Sequence, residues 1–201
     1  MSSSPANFAP FLLQTHHLSG GPAGHPVIQS LSFSWPAGLN WVCGDESCGK
    51  TSLLRLLAGD LQPLSGTVQA PAGGVFWADL KGAEHDPITV QACWAQLQTL
   101  YPRWDSKLLD DLSEALDMER HRQKPLYMLS TGSRRKVMLI AALASGAAVT
   151  LLDQPFVSLD QASIRAIKDF LREAAEQPGR AWIVADYEAP DDLPMTTVMQ
   201  L

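Results

Sequence analysis

Eight consecutive residues, Gly44-Asp45-Glu46-Ser47-Cys48-Gly49-Lys50-Thr51, leave few folds open to this chain. They follow the spacing G-x-x-x-x-G-K-[ST], and their flanks agree with it. Asn40 to Cys43 reads as a short apolar strand running straight into Gly44. After Lys50 the apolar residues fall at Leu53, Leu54, Leu56 and Leu57, one face of a helix, and Gly59 stops it. A strand–loop–helix of this kind turns successive backbone N–H groups and a helix N-terminus toward one point, where the helix dipole favours negative charge. Gly44 through Ser52 are therefore the expected phosphate-binding segment. Lys50 would reach the β- and γ-phosphates of a nucleotide, and the Thr51 hydroxyl would ligate Mg²⁺. Asp45 and Glu46 put two carboxylates beside an anion site, so they are expected to point to solvent. Ser47 occupies a loop position often held by glycine and is expected to be strained.

The remaining pattern alternates strands and helices, which predicts an α/β fold on a mostly parallel sheet. Strands are expected at Val27–Trp35, with Leu31, Phe33 and Trp35 on one face, at Gly66–Ala70, and at Val75–Ala78. No strand signal follows between Asp79 and Pro125; helices are expected at about 89–100, 106–116 and 131–145. Ala148–Leu152, Ala181–Ala185 and Thr197–Leu201 read as later strands. Between the first two of these, Asp160 caps a helix with the inward stripe Ile164, Ile167, Leu171 and Ala174, ending near Gly179. A length of 201 residues suits one domain. Its core would span about 1–78 and 146–201, with a helical subdomain at about 79–145.

Val149-Thr150-Leu151-Leu152-Asp153 is an apolar strand ending in an acid, as a phosphate-loop ATPase needs to hold Mg²⁺ at a strand's carboxyl end. Shortly before it, Leu129-Ser130-Thr131-Gly132-Ser133-Arg134-Arg135-Lys136 opens a helix. This segment resembles the LSGGQ signature of the ATP-binding cassette (ABC) ATPases, and Ser158-Leu159-Asp160 stands where that family has its D-loop. With the phosphate loop and Asp153, four elements stand in the family's order. The short length and the run Asp153-Gln154-Pro155-Phe156 are most similar to small bacterial export ATPases, such as the haem-exporter subunit of cytochrome c maturation. The resemblance implies a P-loop ABC fold and a head-to-tail dimer. Ser130, Thr131 and the backbone at Gly132 would then touch the ATP held by the partner chain.

Several positions depart from the family's pattern. Gln154 stands where a glutamate follows the Mg²⁺-binding aspartate. An amide can orient the attacking water but cannot act as its general base, a loss of about 10²–10⁴ in rate. Tyr187 stands where a histidine is expected; it donates a hydrogen bond but lacks imidazole's charge. The Q-loop glutamine is missing, with Asp79 the nearest candidate, and no upstream tyrosine offers itself to adenine. His16, His17 and His25 are possible substitutes, more simply surface residues.

A net charge of −6 argues against nucleic acid as a partner. The longest apolar stretch, Val137–Leu152, is broken at Ser145-Gly146 and falls short of the roughly 20 residues a membrane helix needs. Met1–Pro10 carries no export signal, and three cysteines without disulfide or metal spacing fit a reducing cytoplasm. The resemblance, together with these features, implies a cytoplasmic ATP-binding subunit of an ABC membrane transporter. It would bind ATP and Mg²⁺, hydrolyse slowly, and reach the membrane through a permease subunit. Its dimer would be a homodimer, or a heterodimer with another ABC ATPase chain. The alternative is a non-hydrolysing regulatory module or the degenerate half of a heterodimer.

Overall fold

The computed structural model describes residues 11–80 and 82–201. The reading of Met1–Pro10 therefore lies outside the described residues. In chain order the elements are β1 (Leu13–Gly20), β2 (Ile28–Trp35), β3 (Gly38–Cys43), α1 (Lys50–Ala58), β4 (Ser65–Gln69), β5 (Val75–Phe76), α2 (Val90–Leu100), α3 (Ser106–Ala115), α4 (Thr131–Ala144), β6 (Val149–Asp153), α5 (Gln161–Ala174), β7 (Ala181–Asp186) and β8 (Met195–Gln200).

Five strands form a parallel sheet in the order β5-β6-β7-β3-β8. Its central strands are mostly apolar because both faces are covered. Alternate residues feed two cores. Leu39, Trp41, Leu152, Trp182 and Val184 face the side on which α2 to α5 pack. Val42, Val149, Leu151, Ile183 and Ala185 face α1 and the smaller antiparallel sheet β2-β1-β4. Leu53, Leu54, Leu56 and Leu57 of α1 are at most 2% exposed. Each contributes roughly 1.5–3 kcal/mol by its burial, which seats the helix that follows the phosphate loop. Gly59 ends α1 in the left-handed conformation, at φ 75°.

Two polar side chains, Asn40 in β3 and Thr150 in β6, are fully buried in the described parallel sheet. Asn40 is fully buried in β3; its Nδ2 donates to Pro36 O (3.1 Å), Gly38 O (3.2 Å) and Trp182 O (3.4 Å), and its Oδ1 accepts from Thr197 Oγ1 (2.7 Å). It ties the turn before β3 to both neighbouring strands.

Three points of the fold depart from the sequence-based expectation. Leu13–Gly20, to which the alternation assigns no strand, forms β1. Its inward alternation at Leu13 and Thr15 is broken by the exposed pair His16-His17, with His17 at φ 48°, and resumes at Leu18. A bulge of this kind resets the period of two on which strand recognition depends. In α5 the buried stripe is Ser163, Ile167, Leu171 and Ala174, with Phe170 packed against it. Ile164 is only half-buried, because Ser163 bonds back to the cap and takes the inward place at the helix start. The helix also ends at Ala174, well before Gly179, which lies in the following turn at φ 77°.

Candidate functional site

Three adjacent strands of the parallel sheet deliver their carboxyl ends to one place. β3 and β7 pair in register with Cys43 opposite Asp186, and β6 and β7 pair with Asp153 opposite Ala185. The phosphate loop, the Asp153-Gln154 pair and the Asp186-Tyr187 pair therefore meet at the sheet's carboxyl edge, where ligands of open α/β sheets bind.

Gly49 takes φ 109° and allows the loop to turn into α1. A Cβ there would lie 3.2–3.3 Å from Ile28 and Val27, so the start of β2 roofs the loop closely. Ser47 carries φ 64°, the strain expected for a side chain at this place. Asp45, Glu46 and Ser47 are exposed. Lys50 is only 6% exposed. Its ammonium donates to Gly44 O (2.5 Å) and Asp45 O (2.7 Å), lies 3.8 Å from Cys48 Sγ, and sits 4.8 Å from the centre of the Tyr187 ring. The loop's own carbonyls and the aromatic face partner this cation.

The Thr51 hydroxyl donates to Asp153 Oδ2 at 2.7 Å across 102 positions of sequence. Asp153 Oδ1 is buried and has no hydrogen-bond partner. A carboxylate oxygen withdrawn from water and left unpaired beside a hydroxyl, next to a phosphate loop, fits a Mg²⁺ site completed by phosphate and water oxygens. No group of three or more His, Cys, Asp or Glu placed to hold a metal ion occurs among the described residues.

Gln154 and Tyr187 line one cleft with Glu46, Lys50, Thr51 and Ser52, so the two altered positions do come together beside the loop. Gln154 adopts φ 46° and donates its N–H to Ala185 O at 2.8 Å. Tyr187 is 46% exposed; its N–H donates to Asp186 Oδ1 (2.8 Å), and its carbonyl accepts from Gly44 N (3.4 Å). Burial raises the pKa of Asp186 above the ordinary carboxylate value, and the nearby Asp153 charge adds to this, while Lys50 and Arg135 oppose it.

Ser130 caps α4 by accepting from Ser133 N at 3.1 Å; it and Thr131 are exposed, and so are free to face another molecule. Gly132 packs against the segment after Gln154, since a Cβ there would lie 2.3 Å from Ser158 O. Asp160 caps α5 through Ser163 N (2.8 Å) and pairs with Lys136 Nζ (2.9 Å). Asp79 is exposed on a second cleft of about 320 Å³, shared with Thr51, Trp77, Arg134, Arg135 and Asp153. His16 and His17 lie on β1, where His17 Nδ1 is 3.2 Å from Ser30 Oγ, and His25 is exposed before β2. None of the three lines the cleft at Lys50; the side chain set beside Gly49 is Val27, which is 42% exposed.

Two site residues escaped the sequence reading. Arg134 holds Leu80 O (2.6 Å), Gly82 O (3.1 Å) and the Asp86 carboxylate. Arg135 donates to Asp153 O (3.2 Å) and to Gln154 O. A signal was available: consecutive cations near a helix N-terminus oppose the helix dipole and need some other reason to be there.

The sequence profile described as "ABC transporter" matches residues 28–157, which contain the loop, the signature segment and Asp153. The chain is 34% identical to the cytochrome c biogenesis ATP-binding export protein CcmA of Zymomonas mobilis, over 87% of this chain and 78% of that protein. It is 31% identical to ABC transporter I family member 10 of Arabidopsis thaliana, over 79% of this chain but only 62% of that protein. A putative ABC transporter ATP-binding protein from Pyrococcus furiosus superposes with a TM-score of 0.74 at 23% identity, covering 94% of this chain and 96% of that one. No helix among the described residues is long and apolar enough to cross a membrane. Profile, relatives and fold agree with the loop and its surroundings, and the chain belongs to the ABC transporter family of ATP-binding subunits.

Proposed function

We propose that this chain binds ATP·Mg²⁺ through Gly44–Ser52 and drives an ABC transporter from the cytoplasmic face, through a permease subunit. The observation that carries the reading is the bond from Thr51 to Asp153, with the second carboxylate oxygen left unpaired beside Lys50's loop. Mg²⁺, held by Thr51 and Asp153, would neutralise charge developing on the phosphates. The protein's own part is positioning. Backbone N–H groups of the loop and α1 orient the phosphates. Lys50 exchanges its bonds to Gly44 O and Asp45 O for phosphate oxygens. Ser130, Thr131 and the Gly132 backbone contact the ATP of a second chain, in a homodimer or a heterodimer with another ABC ATPase. Residues 79–145 act as the helical subdomain that carries this signature segment.

Hydrolysis is slow in this reading. Gln154 orients the attacking water without accepting its proton, and Tyr187 donates a hydrogen bond without imidazole's charge. The similarity to CcmA proteins makes an export-type permease the first partner to test. Titration calorimetry of ATP·Mg²⁺ into the wild-type chain and Lys50→Ala tests the nucleotide site. Affinity should drop at least tenfold in the variant, and equal affinities would sink the proposal.

A further inference from the structure

Arg135 stands where a cation gains nothing from its helix, near the positive end of the α4 dipole, and is half-buried as well. Desolvation lowers its pKa, with Asp153 and Asp186 opposing that shift. A guanidinium kept at such a place needs a compensating use. Its Nη1 donates to two successive main-chain oxygens, Asp153 O at 3.2 Å and Gln154 O.

Those two carbonyls belong to the turn on which the slow chemistry depends. Gln154 adopts φ 46°, a conformation a side chain avoids unless its surroundings impose it. The surroundings grip it from two sides. β7 takes the N–H of Gln154 through Ala185 O (2.8 Å), and α4 takes its carbonyl through Arg135. The same helix start touches the following segment twice more, at Gly132 against Ser158 O and at Lys136 with Asp160. Of these three contacts, the Arg135 one reaches Gln154 itself.

We propose that Arg135 is a positioning residue that fastens the signature helix to the backbone of Gln154, so that segment 130–132 and the catalytic position move as one body. The inference rests on the ATP-dependent function proposed above. It adds a direction of control: whatever draws the start of α4 toward a second chain's nucleotide also sets the Gln154 turn. Without the guanidinium, Asp153 O and Gln154 O each lose a charged donor, Gln154 O keeping only the Val157 N–H at 3.3 Å, and the left-handed turn is held less firmly.

The test uses the full chain as wild type, Arg135→Gln, Arg135→Lys and Lys136→Gln. Four quantities are measured: thermal midpoint, ATP·Mg²⁺ affinity by calorimetry, hydrolysis of γ-labelled ATP in single turnover, and hydrogen exchange of peptides spanning 152–158. Arg135→Gln should slow hydrolysis tenfold or more, up to about 10²-fold. It should also speed exchange at 154–158 several-fold while ATP affinity stays within twofold. Arg135→Lys should recover part of both, because an ammonium still reaches one carbonyl. Lys136→Gln, which unfastens only the Asp160 end, should leave exchange at Gln154 unchanged. Unchanged exchange at 154–158 in Arg135→Gln overturns the proposal, and so does a loss of affinity and melting temperature that Lys fails to restore. If the wild type binds no ATP, the functional reading fails, while the exchange of the nucleotide-free chains still decides the role of Arg135.

Discussion

Replacing Gly132 by alanine sets two effects of opposite sign against each other. Gly132 lies in the first turn of α4, where alanine by propensity alone would stabilise the helix by about 1 kcal/mol. The new Cβ, however, would lie 2.3 Å from Ser158 O, a backbone atom, when real contacts essentially never fall below 3.0 Å. The carbonyl must retreat by about 0.7 Å, the difference between those distances. Ser158 already holds φ 64°, and two residues on Asp160 caps α5, so the retreat pulls on a strained turn and on a helix cap. Overpacking costs about 1–3 kcal/mol, and a weakened cap adds about 1 kcal/mol. The clash wins, with a net destabilisation of about 2 kcal/mol after the propensity gain is subtracted. At about 2–4 °C per kcal/mol for a chain of this size, the melting temperature should fall by roughly 4–8 °C. Thr131→Ala, one residue away and exposed, is the control and should shift it by about a degree at most. Thermal melts followed by circular dichroism decide the matter. A Gly132→Ala melting temperature equal to or above wild type would show that segment 158–160 does not abut the signature turn.

Two further outcomes are expected. Gln154→Glu should raise ATP turnover, approaching about 10²-fold if the missing carboxylate is the main defect. The double change with Tyr187→His should exceed either single one, and brisk wild-type hydrolysis unchanged by Gln154→Glu would refute the slow-site reading. Lys136 first, and then Ser163, hold the Asp160 carboxyl below its ordinary pKa in the folded chain. The stability this gives is complete above the unfolded value of about 3.9 and is lost as pH falls toward the lower folded value. Asp160→Asn should therefore flatten the acid limb of the melting-temperature profile between about pH 4 and pH 2; an unchanged limb would show that the pair contributes nothing there.

Much of the site was legible because its parts are local. The loop needs its glycines, lysine and threonine at fixed spacing, and Gly49, Lys50 and the α1 leucines lie where that spacing puts them. Asp153 ends an apolar strand, and Asp160 caps α5 as its side chain type suggests. Each of these features is decided by a few neighbouring residues, so periodicity and cap chemistry suffice to find it.

The amino-acid sequence by itself determined the phosphate loop, the order of strands and helices after β1, the acid at the end of β6 and the departures at Gln154 and Tyr187. Tertiary structure alone decided how these features meet. Thr51 reaches Asp153 across 102 positions of sequence, and Asn40 joins Thr197 across 157. β1 became a strand only by pairing with β2 and β4 around a bulge at His16-His17 that hides its period. The α5 stripe turned on which neighbour claimed the inward place, and Ser163 took it from the more apolar Ile164 by bonding to the cap. Arg135 reads in the sequence as one more helix cation, and its value lies in two main-chain carbonyls on another element. A sequence pattern reports what each residue prefers among its neighbours, whereas partners brought together by sheet order and helix packing are set by burial of the whole chain, which no local window contains.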